Sequence, residues 1–434
     1  MSKRRFDGLK PTDEAPERAV VAKAILRGEP RAADPLAEIT ALVETAGGVV
    51  VASVIQRLDR PHPATYLGKG KVQELAALAG EHDADVVITD NDLTPAQERN
   101  LERITGRKVV DRSQLIMDIF ALRARTRQAK LQVELAQTRY MLPRLKRLWT
   151  HLSRFEGGIG MRGPGETQLE EDKRILSRRI QKLARELKAI EHKKETSLVH
   201  RRDEFVVSLV GYTNAGKSTL LNRLTGSREL VEDRLFATLD TRVRRWPLGE
   251  ARYVLLTDTV GFIRDLPPHL IASFHATLAE THRADLLLHV VDASSPEAAH
   301  QIDSVESVLK AIGCDGRETW LVFNKRDALS PDRLVETRHL EADRARGRPS
   351  LLVSARTGEG LDHLRDAVLT RLRREDQEFD GLIPHARHDV VAFLRHNAEV
   401  RSSVYLEEGV RVRAALSPAR LGKLRALFPE GFRD

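Results

Sequence analysis

The chain has 434 residues, 41% hydrophobic and 31% charged, too many for one hydrophobic core and ordinary globular material rather than disordered or membranous. Its longest apolar runs, such as DLLLHVV at 285–291, are far short of a bilayer span, and its first eighteen residues lack the apolar core of a secretory signal. A net charge of +8 points to an anionic partner, the 5% of aromatics argue against base stacking, and the single Cys314 excludes an internal disulfide and leads us to expect a cytoplasmic protein, monomeric by default.

The first 125 residues read as a small α/β domain. RAVVAKAIL (18–26), GGVVVASVIQ (47–56), DADVVITD (83–90) and RKVVD (107–111) have the apolar continuity of strands in a mainly parallel sheet. DPLAEITALVETA (34–46) is helical, and TPAQERNLERIT (94–105) is a helix with a Thr-Pro start. LGKGKVQEL (67–75) interleaves glycines and lysines before a helix, which suits either a phosphate loop or a plain helix start.

From 126 to 202 the period changes. Leu131, Leu135, Thr138, Leu142 and Leu145 form one heptad-like seam, and Leu176, Ile180, Leu183, Leu187 and Ile190 form another. An antiparallel helical hairpin follows, with Pro143 ending or kinking its first helix. Its flanks are basic: residues 123–154 hold nine Lys/Arg against one acid, and 162–202 hold twelve against seven. The tip, GGIGMRGPGE (157–166), contains a G-x-G-x-x-G match at Gly158, Gly160 and Gly163. A dinucleotide site is excluded by context, because the motif follows a basic amphipathic segment instead of a buried strand. Backbone with few side chains can approach another backbone closely. The expectation is an RNA probe, with Arg144, Lys146, Arg147, Arg154 and Arg162 as phosphate contacts; a flexible turn is the plainer alternative.

Residues 203–373 carry the strongest signal. GYTNAGKST (211–219) follows the strand FVVSLV and fits G-x-x-x-x-G-K-[ST], so the backbone of Gly211, Tyr212, Thr213, Asn214, Ala215 and Gly216 is expected to wrap phosphate oxygens. Lys217 reaches the β/γ-phosphates and Ser218 binds Mg²⁺ in this reading. FATLD follows, Phe236, Ala237, Thr238, Leu239 and Asp240, with Thr238 expected to add a second hydroxyl to Mg²⁺ and Thr241 its competitor. In DTVGF, Asp258 is expected to hold Mg²⁺ through water and Gly261 to meet the γ-phosphate, with Thr259 and Val260 between them. NKRD (Asn324, Lys325, Arg326, Asp327) ends another strand, and its Asp327 matches the N1–H and N2–H₂ donors of guanine, which adenine lacks. SAR (Ser354, Ala355, Arg356) ends a further strand, where the Ala355 amide is expected to donate to guanine O6. Four loops at carboxyl ends of successive strands define a doubly wound sheet with a GTP site. Phe262 stands where many GTPases carry a water-orienting glutamine, so no catalytic side chain is assigned and intrinsic hydrolysis should be weak. Residues 374–434 read as a small α+β domain of helix, hairpin and helix.

Taken together, GGIGMRGPGETQLEEDKR (157–174), GYTNAGKSTL, FATLD, DTVGFI and NKRD, spread over nearly the whole chain, resemble the HflX family of translation-factor-related GTPases. The resemblance implies binding to the large ribosomal subunit and its rRNA, GTP hydrolysis stimulated there, a tip loop directed at the peptidyl-transferase region, and a role in splitting stalled ribosomes. Three rivals stand beside it: a ribosome-assembly GTPase, an ATP-driven RNA-remodelling protein acting through the N-terminal domain, and a membrane-recruited regulator, for which no lipidation motif is present.

Overall fold

A computed structural model describes residues 16–29, 34–147, 164–198, 204–227, 235–236, 242–249, 252–259, 261–264, 270 and 281–432. The chain divides into two units, and the first begins with four parallel strands, β1 (Arg18–Leu26), β2 (Val49–Leu58), β3 (Val86–Thr89) and β4 (Lys108–Asp111), in the order β2-β1-β3-β4. Crossovers run through α1 (Ala37–Ala46), α2 (Lys69–Glu81) and α3 (Pro95–Thr105). α3 starts where the sequence places it, because Thr94 and Gln97 cap each other reciprocally and Pro95 needs no amide partner. Gly106, in a left-handed conformation, ends it.

β1 is buried almost throughout, yet it contains Lys23. A buried ammonium is tolerable only when paired. Asp90 meets Lys23 at 2.5 Å and also takes the Arg112 guanidinium at 2.5 Å, and Arg112 reaches Glu38 at 2.5 Å. The two carboxylates hold that guanidinium protonated against the cost of its burial. The same unit includes residues 232–240 and 263–277. Arg112 donates to the Arg264 carbonyl at 2.9 Å, and the Arg264 side chain lies 3.5 Å from Glu38.

After α4 (Arg112–Arg123) come α5 (Arg127–Met141), a 3₁₀ segment at Leu142–Arg147, and α6 (Pro164–Leu198). Pro143 lies in the 3₁₀ segment, so the α-helix stops at the expected place. Leu131, Leu135, Ile180, Leu183 and Leu187 pack together. Glu134 pairs with Arg179 and Arg127 with Glu186, so the two helices run antiparallel.

The second unit contains β5 (Val206–Gly211), β6 (Arg242–Gly249), β7 (Arg252–Asp258), β8 (Leu286–Asp292), β9 (Thr319–Asn324) and β10 (Ser350–Leu352). Their order is β10-β9-β8-β5-β7-β6, and only β6 is antiparallel to its neighbour. α7 (Lys217–Thr225), α8 (Ala298–Ala311), α9 (Pro331–Ala345) and α10 (Leu361–Arg373) connect the strands. Val207, Leu209, Leu288, Val290 and Val322 build the core beneath α7 and α10, which fits the unbroken apolar runs in the sequence.

The C-terminal part of this unit has β11 (Gln377–Pro384), α11 (His388–Asn397), β12 (Glu399–Leu406), β13 (Gly409–Leu416) and α12 (Pro418–Leu427), with sheet order β11-β13-β12. The expected helix, hairpin and helix are present, but the reading omits β11. Only Phe379 and Ile383 of that strand face the core, and a glycine and a proline interrupt its alternation. No helix among the described residues is long and apolar enough to cross a membrane.

Candidate functional site

The carboxyl ends of β5, β7, β8, β9 and β10 meet at one edge of the sheet, where open α/β folds take ligands. β5 ends at Gly211, with φ 153°, where a Cβ would overlap the Val290 carbonyl of β8. The loop turns through Asn214, φ 60°, and Gly216, φ 89°, where a Cβ would overlap the Asn324 carboxamide. Lys217 opens α7 with its side chain inside the loop, and Nζ donates to the carbonyls of Gly211 at 3.0 Å and Tyr212 at 2.7 Å. Burial pushes the ammonium down to about 8, with Asp258 opposing the shift.

Ser218 and Asp258 come together as their motifs suggest, with Oγ donating to Oδ2 at 2.7 Å. Thr259 donates to the Leu209 carbonyl at 2.7 Å, which ties the end of β7 to β5. Gly261 leaves room for its neighbours, since a Cβ there would lie 2.8 Å from Thr213 Cγ2. Phe262 bridges back to the phosphate loop: its amide donates to Gly211 at 3.1 Å, and its carbonyl accepts from Thr213 at 2.7 Å. The ring is 2% exposed, so Phe262 is a core residue and reaches no solvent.

On the other side of the loop, Asn324 donates to the Ala215 carbonyl at 2.9 Å and accepts from the Ala355 amide at 2.9 Å. The Ala355 amide thus also has a protein partner in the Asn324 carboxamide. Asp327 accepts from Ser354 Oγ at 2.6 Å, and Arg356 lies 3.9 Å from it. Lys325, with φ 65°, pairs with Asp292 at 2.7 Å. Arg326 turns outward to Glu359 at 3.0 Å. Sequence reasoning missed Asp292; the signal was an aspartate ending the apolar strand LLLHVVD.

Other expected residues lie elsewhere. Phe236 is 2% exposed, with its ring edge-on to Phe120 at 4.6 Å in the first unit, so its side chain is a packing group and not a nucleotide contact. Arg144 is also corrected. It donates to Glu98 at 3.2 Å, to Asp111 at 3.1 Å and to the Leu93 carbonyl at 2.7 Å, and it stacks over the Tyr140 ring at 3.5 Å. A guanidinium so engaged is unavailable to RNA. Gly68 starts α2, and its amide donates to Gln56 at 2.9 Å, which favours the plain helix start there. Ala237, Thr238, Leu239, Asp240, Thr241, Val260, Arg154 and Arg162 lie outside the described residues, as do residues 148–163 before α6 and the side chains of Lys146 and Arg147.

This fold and this edge define a P-loop guanine-nucleotide-binding protein. Three family profiles match in series: a GTP-binding GTPase N-terminal region at 33–121, a GTP-binding GTPase middle region at 123–201, and a 50S ribosome-binding GTPase at 206–325. The GTPase HflX of Lacrimispora saccharolytica is 43% identical over 92% of this chain and 94% of its own length. That of Escherichia coli is 46% identical over 79% of this chain and 80% of its own. The crystal structure of SsGBP in complex with GDP is 27% identical, covers 82% of this chain and 98% of its own, and has a TM-score of 0.46. The chain belongs to the HflX family of GTPases, and it is a GTP hydrolase.

Proposed function

We propose that this GTPase is a nucleotide-controlled switch whose client is the large (50S) ribosomal subunit, which it engages through rRNA to split or rescue stalled ribosomes. The observation that carries the reading is the pairing of a guanine-nucleotide edge with an antiparallel helical hairpin of unusual basic density in one chain. The match of residues 206–325 to a 50S ribosome-binding GTPase profile supports the client.

In this reading the backbone of 211–216 cradles the phosphates, Lys217 neutralises the β/γ oxygens, and Asp327, oriented by Ser354, selects guanine. The Ser218 hydroxyl, with Asp258 behind it, and Thr238 would hold Mg²⁺, which would supply charge neutralisation to the phosphates. The oxygen donor set suits that hard cation. Lys146, Arg147, Arg154 and Arg162 remain the rRNA contacts, without Arg144. Because Phe262 cannot orient water, hydrolysis is slow in isolation and is completed by the ribosomal partner.

GTP turnover with and without purified large subunits, across a salt series, tests this. Strong stimulation that falls with salt is the expected outcome. Turnover unmoved by large subunits, with small subunits and free RNA run alongside, overturns the assignment.

A further inference from the structure

The polar residues of the NKRD turn are each held from outside it, and one of the holding groups belongs to no nucleotide motif. Asn324 is tied to Ala215 and Ala355, and Asp327 to Ser354. Lys325 is tied to Asp292, the last residue of β8, which lies beside Asn324 in the parallel register of β8 and β9. The nucleotide reading gives Asp292 no task.

The Asp292 carboxylate is aimed by its own turn. Oδ1 accepts from the Ser294 amide at 3.0 Å and from Ser294 Oγ at 2.6 Å, which leaves Oδ2 for Lys325 Nζ at 2.7 Å. That turn is fixed in its place by α9, where Arg333 donates to the Ser294 and Ser295 carbonyls at 3.4 and 2.8 Å. The Asp292 and Lys325 side chains are 17% and 31% exposed, so solvent screens the pair less than it screens a surface pair. Exposed pairs rarely hold two side chains in one geometry. This one is part-covered and braced.

Lys325 is also fixed at its other end. Its backbone is left-handed, φ 65°, a conformation that a residue with a Cβ keeps only where its surroundings impose it. With Cα set by the turn and Nζ set by Asp292, the stem is stretched at a defined place in the same turn as Asp327, which selects the base. A stretched lysine stem is an apolar surface whose charge is confined to its tip.

We propose that Asp292 is a positioning residue for the guanine nucleotide: its carboxylate, aimed by Ser294, holds the Lys325 stem as one wall of the base slot. Asp292 touches no part of the nucleotide and acts through Lys325. Its contribution is pre-organisation, because a free lysine loses rotamer freedom when the base arrives and a pinned one has lost it already. The wall meets a ring face and favours planar purines alike, while Asp327 at the ring edge makes the choice of guanine.

The inference rests on nucleotide binding by the chain alone and not on the ribosomal client, so its test uses the isolated full-length protein. Affinities for GDP, IDP and the non-hydrolysable imido analogue of GTP are measured by fluorescence competition. Asp292→Asn keeps the size of the side chain and removes its charge. It should raise all three Kd values by about five- to tenfold, the worth of one pre-ordered long side chain. KM for GTP should rise by the same factor while kcat moves by under about twofold. Lys325→Met keeps an apolar stem and removes the ammonium, so adding Asp292→Asn to it should cost under about twofold more. Ser294→Ala, which leaves the carboxylate and removes its aim, should weaken binding by about two- to threefold, and it serves the same cycle with Lys325→Met if Asp292→Asn fails to fold. Wild-type affinity in Asp292→Asn overturns the proposal. So does a loss that persists in full in the Lys325→Met background, or one that differs between GDP and IDP. Each failure leaves the large-subunit reading standing, because no ribosomal material is present.

Discussion

The Asn324 carboxamide fastens the phosphate loop to the base-side loop, donating to Ala215 at 2.9 Å while accepting from Ala355 at 2.9 Å. Both contacts are buried, and Gly216 is shaped around the same side chain. Asn324→Ala leaves a carbonyl and an amide without partners, a cost of about 1–3 kcal/mol. Since about 1.4 kcal/mol is tenfold in affinity, GDP and GTP should both bind some tenfold or more weakly in a fluorescence titration. Asn324→Asp, which keeps only the acceptor, should fall between. Wild-type affinity in the alanine protein would show that the loops hold their positions without this tie.

Lys217 makes nucleotide binding pH-linked. Its ammonium is lowered from 10.5 to about 8, so between those values the unfolded chain holds a proton that the folded chain has lost. The burden of burying this charge therefore eases as pH rises through that window. Phosphate oxygens reverse the shift by favouring the charged form. GTP binding should take up part of a proton near pH 8 to 9, and affinity should fall as pH rises beyond about 8. Calorimetry in buffers of different ionisation enthalpy measures the uptake. An identical heat in every buffer at pH 8.5 would count against it, and Lys217→Met should abolish any difference.

Arg252 and Asp376 form a buried ion pair, with side chains 7% and 6% exposed and contacts at 2.5 and 3.0 Å, which ties β7 to the start of the C-terminal part. Removing one partner strands the other charge in the interior. Asp376→Ala should lower stability by about 3–5 kcal/mol, whereas a double replacement by apolar residues of similar volume should cost far less. Urea denaturation followed by tryptophan fluorescence compares the two, and equal losses would mean that the charges are solvated.

Arg144 separates structural from RNA-binding charge. With Glu98, Asp111 and Tyr140 around it, Arg144→Ala should destabilise the N-terminal unit by about 2–4 kcal/mol. At temperatures where the variant stays folded, its affinity for large subunits and its salt dependence should match wild type. A reduced salt slope in a folded Arg144→Ala protein would restore this residue to the RNA surface.

The nucleotide edge was legible because its chemistry is local. The spacing of Gly211, Gly216, Lys217 and Ser218 fixes a loop whatever surrounds it, and the strand before it is a continuous apolar run. The first sheet was legible for the same reason, with β1 at its predicted bounds and α3 signed by Thr94 and Pro95. What escaped depends on distant partners. Arg144 looks like one more residue of a basic segment until Asp111 and Glu98 arrive beside it. Phe236 sits within a nucleotide-loop motif, but its ring is claimed by Phe120. β11 carries two core residues in eight, too sparse a pattern to announce a strand. Asn324 was read as part of a base-recognition motif, and nothing in its spacing reveals that it also braces Ala215.

The contacts of Arg264 with Arg112 and Glu38, and of Phe236 with Phe120, set a schedule for the birth of the protein. The four strands of the first sheet are all synthesised by residue 111, but the unit they belong to also includes Phe236 and Arg264. At ordinary rates of synthesis, Arg264 emerges on the order of ten seconds after that sheet is complete. During that interval Glu38 and Arg112 have not yet met Arg264, and Phe120 has not yet met Phe236. The N-terminal unit of this GTPase is thus finished only after the chain has passed the phosphate loop and the DTVGF turn, while Asn324, Asp327 and Ala355 of the nucleotide site are still to be made.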